Sequence, residues 1–134
     1  MNILSNAFSL QMLSAFPAVP IIEECTIEEI KNLLEKGDMT STIGHQDIAN
    51  ILSDMTGCEV PVNRVSNKIE ADDFLYVAQL IGGRLPEGCT TLPENFTLKF
   101  LRIRVLYSDR LCIHADGTIC QGVTPCYCNC DALG

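Results

Sequence analysis

The chain is short of positive charge. Nine Lys and Arg face 17 Asp and Glu, a net charge of −8 over 134 residues. Gripping duplex nucleic acid takes an extended basic surface, so that class of partner is excluded. A small anion held by a few placed arginines is not. Long apolar runs are missing as well. No stretch approaches the roughly 20 residues that span a bilayer, so no membrane partner is expected. The apolar tint of the first residues is interrupted by Asn2, Asn6 and Gln11, and no Lys or Arg precedes Lys31. That argues against a cleaved signal peptide, and the chain reads as soluble and intracellular. With 47% hydrophobic residues it suits one compact domain with a modest core.

Histidine is scarce too, with two in the chain. One of them closes the stretch Ser41-Thr42-Ile43-Gly44-His45. Beyond it Ile48, Ile51, Leu52 and Met55 recur at helical spacing toward Gly57, a helix stop. The pattern predicts a helix that starts at or just after Thr42, with Gly44 and His45 in its first turn. Backbone N–H groups there lack intrahelical partners and sit at the positive end of the dipole, so they favour anions. Glycine admits close approach, and an imidazole exchanges protons near neutral pH. Two readings stand: a phosphate site with its own acid, or a Ser41 or Thr42 cap with His45 as a surface residue.

The remaining segments interleave strands and helices. Asn2 to Phe8 reads as a first strand, and the neutral polar groups Asn6, Ser9 and Gln11 suit either a base edge or a turn. Val19-Pro20-Ile21-Ile22 reads as an edge strand, because Pro20 cannot donate to a ladder. Thr26-Ile27-Glu28-Glu29 is a capping box opening a helix with Ile27, Ile30, Leu33 and Leu34 inward, ending at Gly37. Val60-Pro61-Val62-Asn63-Arg64 is extended, with Arg64 either a surface charge or a phosphate fork. Asn67 to Glu70 is a candidate strand. Phe74 to Ile81 reads as a central strand buried on both faces, in which Gln79 needs a hydrogen-bond partner. The loop Gly82-Gly83-Arg84-Leu85-Pro86-Glu87-Gly88 follows it, where open α/β folds place ligands. Arg84 and Glu87 form either an ion pair or part of a site. Leu98 to Leu106 closes the sheet, with Leu101, Ile103 and Val105 on one face and Arg102 and Arg104 on the other. The expected fold is α/β (α+β): a single mixed β-sheet flanked by helices.

Taken together, Asn6-Ala7-Phe8-Ser9-Leu10-Gln11-Met12-Leu13, Ser41-Thr42-Ile43-Gly44-His45, Asn63-Arg64-Val65, Gln79 and Arg84-Leu85-Pro86-Glu87-Gly88 resemble the viral ring nucleases. These are type III anti-CRISPR proteins that destroy cyclic tetra-adenylate. The resemblance extends to about Leu106. It implies a ring-nuclease-like domain over 1–107 and a cysteine-rich extension over 108–134. Gln11 stands where the family is expected to carry asparagine, and Thr91 to Thr97 is too short for the helix often found there.

The resemblance also implies a homodimer with the cyclic ligand across its two-fold axis, acting in the host cytoplasm. A symmetric ring of phosphates suits a symmetric interface. The implied chemistry uses neither metal nor cofactor. A ribose 2′-hydroxyl attacks its own phosphate in line, leaving a 2′,3′-cyclic phosphate and a free 5′-hydroxyl. His45 is then the general acid for the leaving oxygen, Arg84 stabilises the transition-state charge, and Glu87 orients Arg84 or the attacking hydroxyl. Asn6, Ser9, Gln11, Gly44, Arg64 and Gln79 bind the ring. A non-cleaving sponge for the same nucleotide is the alternative, and a plain interaction protein a further one.

Of eight cysteines, Cys25, Cys58 and Cys89 are scattered, as expected for reduced, small apolar side chains. Cys112, Cys120, Cys126, Cys128 and Cys130 crowd the end of the chain with His114. They form either a zinc site, though without C-x₂-C spacing, or a loosely packed extension.

Overall fold

A computed structural model describes residues 1–65 and 68–107; the cysteine-rich tail, and with it the choice between zinc and loose packing, lies outside the described residues. The elements are β1 (Asn2–Ser5), a 3-10 turn (Leu10–Met12), β2 (Ala18–Glu24), α1 (Ile27–Glu35), β3 (Thr40–Ser41), α2 (Gln46–Thr56), β4 (Phe74–Ile81) and β5 (Thr97–Tyr107). They form one mixed five-stranded sheet in the order β2-β5-β4-β1-β3. β1 lies parallel to both β3 and β4, while β5 is antiparallel to β4 and β2. The carboxyl ends of β1, β3 and β4 therefore reach the same margin of the sheet. This is the expected α+β architecture.

The two faces are covered differently. Leu4, Tyr76, Ala78 and Leu98 pack under Ile30 of α1 and Ile48, Ile51 and Leu52 of α2. On the opposite face Ile3, Leu75, Val77, Ile103 and Val105 meet Leu13 and Ile69 instead. Both helices thus flank one face, and irregular chain covers the other. The central strand β4 is apolar on both sides over Leu75–Ala78, as its sequence predicts. α1 carries the capping box, with Thr26 accepting from the Glu29 N–H and Glu29 accepting from the Thr26 N–H. Such a cap stabilises a helix by about 1 kcal/mol. β2 is an edge strand, as Pro20 requires.

Three expectations need correction. β1 stops at Ser5 rather than Phe8, because the Ser5 hydroxyl accepts from the Ala7 N–H and donates to the Ala7 carbonyl, turning the chain. Asn67 to Glu70 does not form a strand over its described residues: Ile69 makes a single parallel bridge to Leu13. Gln79 is not buried: it alternates onto the face of Leu75 and Val77, away from the helices, and lies beyond the residues packed there; its amide donates to the neighbouring Leu80 carbonyl at 3.4 Å.

Tyr107 locks the irregular cover. Its hydroxyl donates to the Ile69 carbonyl and accepts from the Ser14 N–H at 3.1 Å, and the residue is buried. Tyr107→Phe leaves the Ser14 N–H unmatched and the Ile69 carbonyl with only the long 3.5 Å bond from the Ser14 hydroxyl, at a cost of about 1–3 kcal/mol. A urea melt should show a lower midpoint with an unchanged slope.

Candidate functional site

The site is built where the three parallel strands end. The β3 segment is fixed first. Thr42 is buried, and both its N–H (2.7 Å) and its hydroxyl (2.9 Å) donate to the Leu4 carbonyl of β1. The Ser41 hydroxyl donates to the Pro61 carbonyl at 2.6 Å, and the Asn63 amide donates to the Ser41 carbonyl at 3.1 Å. Neither Ser41 nor Thr42 is a helix cap. Their side chains are spent on joining β3 to β1 and to the 61–63 strap.

α2 begins at Gln46 rather than at or just after Thr42, and its N-cap is His45. The reason is local. His45 is extended (φ −126°, ψ 121°), and its Nδ1 accepts from the Asp47 N–H at 3.2 Å, a task normally given to Ser, Thr, Asp or Asn. Gly44 therefore precedes the helix rather than lying in its first turn. Its N–H is already committed, donating to Asn6 Oδ1 at 3.2 Å. A Cβ at Gly44 would lie 3.5 Å from Arg64 Cγ and Nε, so this glycine lets the arginine stem lie against the backbone.

The accepted bond at Nδ1 assigns the remaining proton of the neutral ring to Nε2. His45 is exposed at the mouth of a cleft of about 340 Å³. Asn6, Gln79 and Arg84 line the same cleft with it, and Ile48, Ala78, Leu80 and Leu85 supply an apolar floor. One strand end thus brings Asn6, a second His45, and a third Gln79 and Arg84. Crevices outside the carboxyl ends of strands are the usual ligand sites of such sheets. Arg84 makes no ion pair with Glu87, and among the described residues its guanidinium has no hydrogen-bond or ion-pair partner.

The other candidates sit apart from this cleft. Ser9 caps the 3-10 turn, its hydroxyl accepting from the Gln11 N–H at 3.2 Å. The Gln11 side chain is exposed, while its carbonyl accepts from Lys68 Nζ at 2.6 Å. Glu87 is exposed in the loop and does not line the cleft. Gly44 and Arg64 stand beside Asn6 and His45 as their immediate support. The apolar floor was not singled out from the sequence. Its signal was present in Leu85, an apolar residue inside an otherwise polar glycine-rich loop.

The sequence profile of the STIV B116-like family matches residues 2–100. The chain belongs to the STIV B116-like family. A solved structure of B116 from Sulfolobus turreted icosahedral virus superposes with a TM-score of 0.65 and 26% identity, over 77% of this chain and 97% of that one. Uncharacterized protein 26 of Sulfolobus islandicus filamentous virus (isolate Iceland/Hveragerdi) is 36% identical over 66 residues. That alignment spans 49% of this chain, and the chain covers only 55% of the relative's length. This STIV B116-like chain is accordingly a viral family member. The family match includes every strand end that builds the cleft.

Proposed function

We propose that this protein is a metal-independent ring nuclease that cleaves cyclic tetra-adenylate and so counters type III CRISPR immunity, acting as a homodimer in the host cytoplasm. The observation that carries the reading is the meeting of His45 and Arg84 around one cleft, with Asn6 and Gln79 as neutral hydrogen-bonding groups beside them. The ring supplies both reactants, a 2′-hydroxyl and the adjacent phosphate. Attack of O2′ on phosphorus, its hydroxyl proton passing to solvent water, forms the O2′–P bond and breaks the P–O5′ bond, and the departing O5′ needs a proton. His45 presents Nε2 for that transfer. A proton taken onto Nδ1 displaces the Asp47 N–H, so the acid and capping forms of the ring are alternatives. A bound phosphate supplies the negative charge that the acid form requires. Arg84 neutralises charge building on the non-bridging oxygens.

Glu87 acts only through the loop it shares with Arg84, and Ser9 and Gln11 contact the ring only if the ligand extends past the cleft. A cleft of about 340 Å³ holds a small fraction of a four-nucleotide ring, which is what a site shared between two copies requires. The test is chromatography of cyclic tetra-adenylate after incubation with the protein. Linear products ending in 2′,3′-cyclic phosphate are expected. Return of the intact ring with a raised melting temperature identifies a sponge. An unshifted melting temperature with an intact ring leaves only an interaction protein.

A further inference from the structure

A second cleft lies at the other end of β4. It has a volume of about 260 Å³ and is lined by Ile21, Glu23, Phe74, Arg102 and Arg104. Phe74 opens the strand whose far end carries Gln79, so the two clefts are separated by roughly 17 Å along the backbone. The residues share a face by register, since Ile21 pairs with Arg104, Glu23 with Arg102, and Tyr76 with Arg102. This is the face that bears the helices, because Tyr76 packs into their core.

Arg102 is held from several sides. Glu23 accepts a hydrogen bond from its guanidinium, Tyr76 stands opposite it in register, and the guanidinium carbon stands 5.9 Å from the centre of the Phe74 ring. The guanidinium in turn keeps the exposed Glu23 carboxyl below the usual carboxylate range. Arg104, two residues along the same strand, is exposed and has no hydrogen-bond or ion-pair partner among the described residues. Two arginines against one glutamate leave a local excess of one positive charge, on a chain of net charge −8. A fixed guanidinium plane stacks flat rings, and a free one forks onto an oxyanion.

We propose that this cleft is a second ligand site, taking a small oxyanion that carries a flat ring, its charged end on Arg104 and its ring along Arg102 and Phe74. The volume, just below the ordinary range for ligand sites, limits the occupant to something small. A phosphomonoester and a carboxylate both offer the required oxygens. Phenyl phosphate and benzoate therefore serve as probes, titrated into the intact protein and followed by NMR.

Saturable binding of either probe, weakened about tenfold or more by Arg104→Gln, is expected, and the better probe names the headgroup. Arg84→Ala, which disables the first cleft, should leave this binding unchanged. That control keeps the result independent of the nuclease reading. No saturation of either probe by about 10 mM overturns the proposal. So does binding that survives Arg104→Gln, or binding of inorganic phosphate as tight as that of phenyl phosphate.

Discussion

His45→Asn is expected to hold cyclic tetra-adenylate and stay folded, yet to cleave it about 10²–10⁴-fold more slowly. Asparagine is chosen because His45 does two jobs. Its Nδ1 caps α2 through the Asp47 N–H, and the residue lines the cleft. Alanine removes both and confuses lost chemistry with a helix weakened by about 0.5–2 kcal/mol. Asparagine is among the best N-cap residues, so it restores the acceptor while removing the imidazole. A matched pair of measurements checks this: single-turnover cleavage by chromatography, and thermal unfolding of the free protein. Unchanged cleavage in the asparagine variant removes His45 from the chemistry. A loss of cleavage matched by a comparable loss of ligand binding assigns it to binding instead.

Gly82→Ala should lower stability by about 2–4 kcal/mol and disturb Arg84 at the same time. Gly82 leaves β4 with φ +127°, a conformation closed to residues with a side chain. An added Cβ would stand 2.7 Å from the Asn95 carbonyl oxygen and 3.1 Å from Phe96 Cα. Both are backbone atoms just ahead of β5, so rotating a side chain brings no relief. The neighbouring Gly83 has φ +110° with open space around its Cβ position and bears only the conformational part of the cost. Chemical denaturation of the two alanine variants should therefore rank Gly82 well below Gly83. Equal losses at the two positions would remove the steric component of this account.

Much of the architecture was legible because local rules and burial agreed. The capping box at Thr26 and Glu29, the proline-marked edge of β2 and the apolar run of β4 each act through a mechanism confined to a few residues. The start of α2 was not legible, because histidine is an uncommon cap and Thr42 is the more usual one. What removed Thr42 from that role is a partner 38 residues away, the Leu4 carbonyl, which no local pattern reveals. Gln79 was misplaced for a related reason: a continuous apolar strand says nothing about how far the cover on each of its faces extends, and the cover over Leu75 and Val77 stops short of Gln79. The meeting of Asn6, His45 and Arg84 follows from the parallel pairing of β1 with both β3 and β4. Neighbour choice in a sheet is written in no single strand.

That pairing has a consequence for the accuracy of the site. A strand with one wet face is punished for slipping by one residue, since its apolar side chains would swing into solvent. β1 lacks that safeguard. Ile3 and Leu4 are each buried, one in either core, so a slip exchanges one hydrophobic environment for the other. The alignment of β1 against β3 must come from polar pins, and the two bonds that Thr42 makes to a single Leu4 oxygen are the tightest of them. A threonine that is not among the residues lining the cleft thereby acts as the alignment dowel between the arm bearing Asn6 and the arm bearing His45.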